Sequence, residues 1–183
     1  MKFRTVHIFT GETFEVPEGI QRIDAEGTHA WQVRYGRASD GGERFTAMFS
    51  DHTPDGSGAA AALEKACAAL LKKIKRMPAA TGLRSTPSTR KSSSLPVGIS
   101  GPVERWRTGR NTPSYSFLVS VPLAKGGNTT KTVYIATANT FTFEREEEAL
   151  LKAMEIREKA VEKFVRVTTK AKRADAREAL GGD

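Results

Sequence analysis

The sequence has one cysteine in 183 residues, Cys67, and three histidines, His7, His29 and His52. A single thiol excludes a disulfide within the chain and a cysteine-rich zinc module. Cys67 lies in the alanine-rich stretch "AAAALEKACAALLKKI", the setting of a small buried thiol on a helix. The histidines fall in three separate segments, and none stands four residues from another, the spacing that offers two imidazoles to one metal on a helix. The sequence has neither a glycine-rich phosphate loop nor a Gly-x-Ser-x-Gly elbow. The acidic run "EREEEA" opens a helix, where the macrodipole explains it without acid-base work. The chain is therefore read as a non-enzyme with no cofactor, no metal and no small-molecule substrate.

Long hydrophobic runs are missing too. No eighteen consecutive apolar residues occur, and the opening "MKFRTVHIFTGETFEV" has no apolar signal core. That excludes a membrane partner and points to the cytoplasm, of a bacterial cell or a phage-infected host. Aromatic residues make up only 8%, against 27% charged. What is abundant is positive charge: the net charge is +8 and the pI about 9.8. It is uneven, with eleven basic and ten acidic side chains in residues 1–77 but eighteen and eleven in residues 78–183. Such a balance favours a polyanionic partner without naming it.

Organisation follows from composition. Residues 78–96, "PAATGLRSTPSTRKSSSLP", are rich in Pro, Ser, Thr and Gly and show neither helix nor strand period. They read as a flexible basic linker. Residues 1–77 then form one segment, and residues 97–183 a second. In the first, Thr5–Phe9 and Thr13–Val16 form a hairpin turning at Thr10-Gly11-Glu12. "GIQRID", "THAWQVRYGR" and "RFTAMFS" follow as three strands, the last two joined through "ASDGGE". Trp31, Val33 and Tyr35 alternate with Gln32, Arg34 and Gly36, so the aromatics clamp a core while the polar set faces out. A long helix comes next, N-capped by Asp55 or Ser57, carrying Leu63, Leu70 and Leu71 inward and ending in Lys and Arg.

After the linker the order returns. "VGISG", "SYSFLVSV" and "KTVYIAT" are strands, with Phe117, Val119 and Val121 inward. The helix that follows carries Leu150, Met154, Ile156, Ala160 and Val161 on or near one stripe. Its basic tail, Lys163 to Arg177, reads as a solvated or frayed end. Gly19-Ile20 answers Gly98-Ile99, "WQVRY" answers "SFLVSV", and "RFTAMF" answers "TVYIAT". The expected fold class is α+β: two repeated units, each a three-stranded antiparallel sheet packed on one helix, plus an N-terminal hairpin. Each sheet leaves one face bare.

This order of elements resembles the Apetala-type DNA-binding domain of ethylene-response factors, which also occurs in phage and bacterial proteins and in integrase arm-binding domains. The resemblance covers residues 17–76 and 96–166. It implies that alternate residues of each sheet meet double-stranded DNA. In the first unit these are Gln21, Ile23, Gln32, Arg34, Arg44 and Thr46, with Arg22 and Arg37 beside them. In the second, Ser116, Leu118 and Ser120 occupy the matching strand, followed by Lys131, Thr132 and Tyr134. That face departs from the arginine-rich pattern of the family. The second unit instead inserts "GPVERWRTGRNTPSY", where Arg105, Trp106, Arg107 and Arg110 suit a phosphate grip with a stacking indole.

Two functions compete. One is a regulator or architectural factor that binds duplex DNA, its linked units reaching two subsites. The other is a small phage or mobile-element protein that binds and modulates a host protein complex through the same bare sheets. RNA binding is permitted by the basic linker, but no single-strand stacking motif supports it. The division of the chain predicts that limited proteolysis cuts first near Arg84, Arg90 or Lys91. A first cut inside either helix would overturn it.

Overall fold

The computed structural model describes residues 1–36, 43–87 and 93–181; Arg37, Arg90 and Lys91 lie outside them. Among the described residues, eight strands form three antiparallel sheets, accompanied by two helices. An N-terminal hairpin joins β1 (Phe3–His7) to β2 (Thr13–Pro17). The first three-stranded sheet runs β3 (Ile20–Ala25), β4 (Thr28–Tyr35), β5 (Phe45–Ser50), and packs on α1 (Ala59–Arg76). The second runs β6 (Ile99–Arg105), β7 (Ser114–Pro122), β8 (Asn128–Thr137). It packs on α2 (Phe143–Leu180), entered through a short 3-10 turn at Ala138–Thr140. The fold is α+β, with the sheet-and-helix unit present twice. No described helix is long and apolar enough to cross a membrane.

Two compact units result. One comprises Met1–Leu83 together with the chain from Thr168 onward, and the other Arg84–Val167. α2 thus contributes its first turns to the second unit and its last turns to the first.

The repeat extends to single backbone bonds. The Arg34 amide donates to the Gly19 carbonyl at 2.7 Å, and the Ser120 amide to the Gly98 carbonyl at 2.8 Å. Ile20 then pairs with Val33 and Ile99 with Val119, and all four are buried. Both glycines have positive φ, +95° and +82°, a region L-residues rarely enter. Gly98 is also a point of close approach: a Cβ there would lie 2.5 Å from Nε of Arg157. Arg157 donates to the Ser120 carbonyl, and burial holds its pKa below the usual guanidinium range.

In the first unit Trp31 is 0% exposed and Val33 and Tyr35 are buried beside it, against Ala62, Ala66, Leu70 and Ile74 of α1. Leu63 and Leu71 pack at the margin of this cluster. A buried indole N–H needs an acceptor, and Trp31 Nε1 finds the Ala59 carbonyl at 2.8 Å. The hairpin closes the same core through Ile8 and Val16, and Phe14 meets the Trp31 ring edge-on. In the second unit Phe117 and Val119 pack with Ile99, Val133 and Ile135 against Ala149 and Ala153.

Three local expectations are corrected. α1 is not capped by Asp55 or Ser57: its N-cap is Gly58, and Asp55 instead accepts from the Ser57 amide in the preceding turn. Met154 is 42% exposed, because the buried stripe of α2 runs through Ala149 and Ala153. The basic tail is not frayed. It is helical to Leu180, with Ala176 buried, and Thr169 accepts from the Ala79 amide at 3.0 Å.

Trp31→Ala removes the largest buried side chain of the first unit and should cost about 3–5 kcal/mol in denaturant unfolding. A near-neutral result would mean that β4 turns its other face to α1.

Candidate nucleic-acid interface

Residues directly paired across antiparallel strands project to the same face. Gln21 pairs with Gln32 and Gln32 with Met48, while Arg34 pairs with Thr46. These five side chains therefore stand in two adjacent rows on the face of the first sheet that α1 does not cover. Arg34, Thr46 and Met48 are exposed. Gln21, Gln32 and Arg34 are thus brought together as the alternation of β4 implies. Arg44 sits exposed just ahead of β5.

Arg22 is not on this face. Its partner across the sheet is Trp31, and its guanidinium stacks 4.9 Å from that ring centroid on the side of α1. It donates two bonds to Asp51, at 2.8 and 2.6 Å, and a third to Asp24 at 2.9 Å. The Arg22 side chain is 5% exposed and that of Asp51 0%. Burial disfavours the charged guanidinium, yet the two carboxylates hold its pKa above the ordinary value. Burial likewise opposes ionisation of Asp24, but bonds to Arg22 and His29 keep its carboxyl below the usual range. Phe9 stacks on His29 at 3.9 Å and covers the outer end of the network. Arg22 is a structural ion-pair partner rather than a free DNA contact.

The second sheet repeats the geometry with different chemistry. Ser100 pairs with Leu118 and Leu118 with Thr132, Ser120 with Thr130, and Ser116 with Tyr134. The open face is therefore hydroxyl-rich around Leu118, with Tyr134 58% exposed. Lys131 is not part of it. Lys131 pairs with Val119, so it belongs to the helix-side set with Val133 and cannot share a surface with Tyr134.

Beyond this face, β6 ends at Arg105 and the chain turns through Trp106 to Arg110. Ser114 donates to the Arg105 carbonyl, and the Arg110 amide donates to the Arg107 carbonyl. Trp106 is 64% exposed, and its Nε1 donates to Glu104 at 2.6 Å. Tyr115 donates to the other oxygen of Glu104 and meets Phe141 edge-on. Arg105, Arg107 and Arg110 are exposed and make no side-chain hydrogen bond or ion pair among the described residues. Loop and sheet together offer exposed cations beside one exposed indole.

One exposed apolar residue on the first open face, Met48, had no assigned contact role in the sequence; only its alternation with Ala47 and Phe49 marks it. Among the described residues no group of three or more His, Cys, Asp and Glu side chains is placed to hold a metal. Cys67 is half-buried, and burial pushes its thiol pKa up.

Arg22→Ala leaves Asp51 buried without its partner, and should cost about 3 kcal/mol of stability. Asp24 is depressed in the folded state, so its contribution is present at neutral pH and lost as pH falls through its folded pKa. Thermal unfolding between neutral and acid pH should therefore show the variant's deficit shrinking in acid. An unchanged Tm at neutral pH would remove the ion pair from the fold's supports.

No family model, curated protein or solved structure matches the chain.

Proposed function

We propose that the chain binds double-stranded DNA, as a regulator or architectural factor of bacterial or phage origin. The observation that carries this reading is the in-register set Gln21, Gln32 and Arg34 on the uncovered face of the first sheet, with Gln21 and Arg34 exposed and Gln32 half-buried between them. A two-stranded or three-stranded β-surface fits the major groove, where Arg pairs with guanine acceptors and Gln with adenine. The pleat fixes the direction of these side chains, and the Trp31 core beneath fixes the pleat. Arg107 and Arg110, past the end of β6, lack such a register and suit phosphate, as does Arg105 at the strand's last position, with Trp106 available to stack. The net charge of +8 supports counterion-release affinity for any duplex.

A second reading rests on one specific feature. The open face of the second sheet carries Ser100, Ser120, Thr130 and Thr132 around Leu118, where the matching positions of the first sheet hold Gln21, Gln32 and Arg34. Such a surface suits a protein partner better than a phosphate backbone, which favours a small phage or mobile-element protein that binds a host complex.

Gel shifts of duplex DNA across a salt series separate the two. Affinity falling linearly on a log-log salt plot supports DNA, whereas no binding even at about 50 mM salt favours the protein partner. Arg34→Ala should cost about 1–3 kcal/mol on a preferred site and much less on random duplex. Arg107→Ala should weaken both duplexes alike and lower the salt slope by about one. Equal losses for both variants would remove base reading from Arg34, and full binding by both would remove the DNA reading.

A further inference from the structure

The backbone bonds that define the repeat also identify which residues correspond on the two open faces. Arg34 and Ser120 donate their amides to equivalent glycine carbonyls. Stepping across the paired strands from them, Gln21 corresponds to Ser100, Gln32 to Leu118 and Thr46 to Thr130. In the second unit, Ser100, Leu118, Ser120 and Thr130 all line one open cleft of about 360 Å³. The opposite wall of that cleft is Arg84, Thr86 and Pro87, with Val97 at its end. These three belong to the same compact unit as the second sheet. The side chains that match the first unit's reading set therefore face a piece of their own chain.

We infer that Arg84–Pro87 is an intramolecular strap, the resident occupant of the second sheet's open face. The chemistry of the two walls agrees. Leu118 gives an apolar floor for the Pro87 ring and the aliphatic stem of Arg84, and Ser100, Ser120 and Thr130 form a polar rim toward Thr86. Small side chains at the positions of Gln21 and Arg34 leave room for a chain to lie there, where long ones would fill the space. Pro87 has no amide hydrogen and a fixed φ, so it cannot itself donate to a strand edge. Under the strap the two faces are unequal. The first is open to a ligand, and the second opens only when Arg84–Pro87 leaves it. Bringing DNA into this picture rests on the reading above; the strap itself does not.

Thiol labelling measures the cover without any ligand. Ser120→Cys places a thiol under the strap while leaving the backbone bonds of residue 120 intact, and Tyr134→Cys places one on the same face outside the cleft. Each is labelled in the full chain, with Cys67 followed separately by peptide mapping. The measurement is repeated with Arg84→Gly, Thr86→Gly and Pro87→Gly combined to loosen the strap. We expect labelling at Ser120→Cys to rise about fivefold on loosening while Tyr134→Cys stays constant. No rise at position 120, or an equal rise at both, overturns the strap. In a parallel gel shift, the loosened chain should bind duplex several-fold more tightly and protect a longer stretch. Unchanged affinity and footprint would overturn the strap's competition with DNA. Absence of duplex binding by either chain would sink the DNA reading alone, leaving the strap to be decided by the labelling.

Discussion

The bond from the Arg34 amide to the Gly19 carbonyl, with its counterpart from Ser120 to Gly98, decides which side of each sheet becomes core. Side chains in a strand alternate with a period of two. Once Ile20 is set against Val33, Trp31 must turn toward α1, and Gln32 and Arg34 away from it. A slip of one residue would invert every assignment. It would bring the Arg34 guanidinium to the helix side, into the buried place of Val33 or Tyr35, and an unpaired buried charge costs several kcal/mol. The composition of the exposed face is therefore enforced by the packing of the hidden one. Glycine is required at both starts because the chain enters the strand with positive φ.

The two units keep this constraint and differ around it. Trp31 is replaced by Phe117, which has no N–H to satisfy, so the second unit needs no bond like the one to Ala59. Arg22, two residues after Ile20, corresponds to Gly101, two after Ile99. A Cβ at Gly101 would lie 2.9 Å from the Ser116 carbonyl and 3.0 Å from the Phe117 ring, so no ion pair like that of Arg22 and Asp51 can form from that position. The sheet shifts register there, between Ser100 and Val103. In the second unit a half-buried cation, Arg157, instead reaches from α2 to the Ser120 carbonyl.

Much of this was legible in the sequence, for physical reasons. The repeat, the strand order and the inward set Trp31, Val33, Tyr35 and Phe117, Val119 follow from a period of two, which burial imposes strongly. The helices follow from alanine-rich and acid-to-basic segments. What failed was long-range or depended on phase. Arg22 shares a face with Ile20 by the same period that assigned Arg34, so its position on the helix side was readable. Its partner Asp51, twenty-nine residues later, was not. Lys131 likewise alternates with Val133 and not with Tyr134. Met154 was misplaced because a stripe of alanines, Ala149 and Ala153, buries as well as larger residues do and leaves little hydrophobic signal. Nothing local marks Thr169 or Ala176 as core, since their neighbours are charged and their contacts lie far off in the chain.

That last misreading changes where the positive charge is available. The cationic tail from Lys163 to Arg177 accounts for much of the basic excess after residue 78, but part of it is already engaged. Lys172 is paired with Glu18. Arg173 donates to the Ile74 carbonyl at 3.2 Å, near the C-terminal end of α1, where a cation answers the exposed carbonyls and the helix dipole. Asp175 faces the N-terminal ammonium of Met1 at 4.0 Å. These groups bind the end of α2 to the first unit's core around Ala176, and removing them for a polyanion would unseat that helix. Among the described residues, cations near the candidate surfaces that form no ion pair include Arg34 and Arg44 on the first unit and Arg105, Arg107 and Arg110 on the second. Of these, Arg34 projects from a sheet anchored by a fully buried tryptophan, whereas Arg107 and Arg110 lie in a loop. Fixed direction and loop-borne charge are thus supplied by different parts of the chain, the separation on which the proposed duplex binding relies.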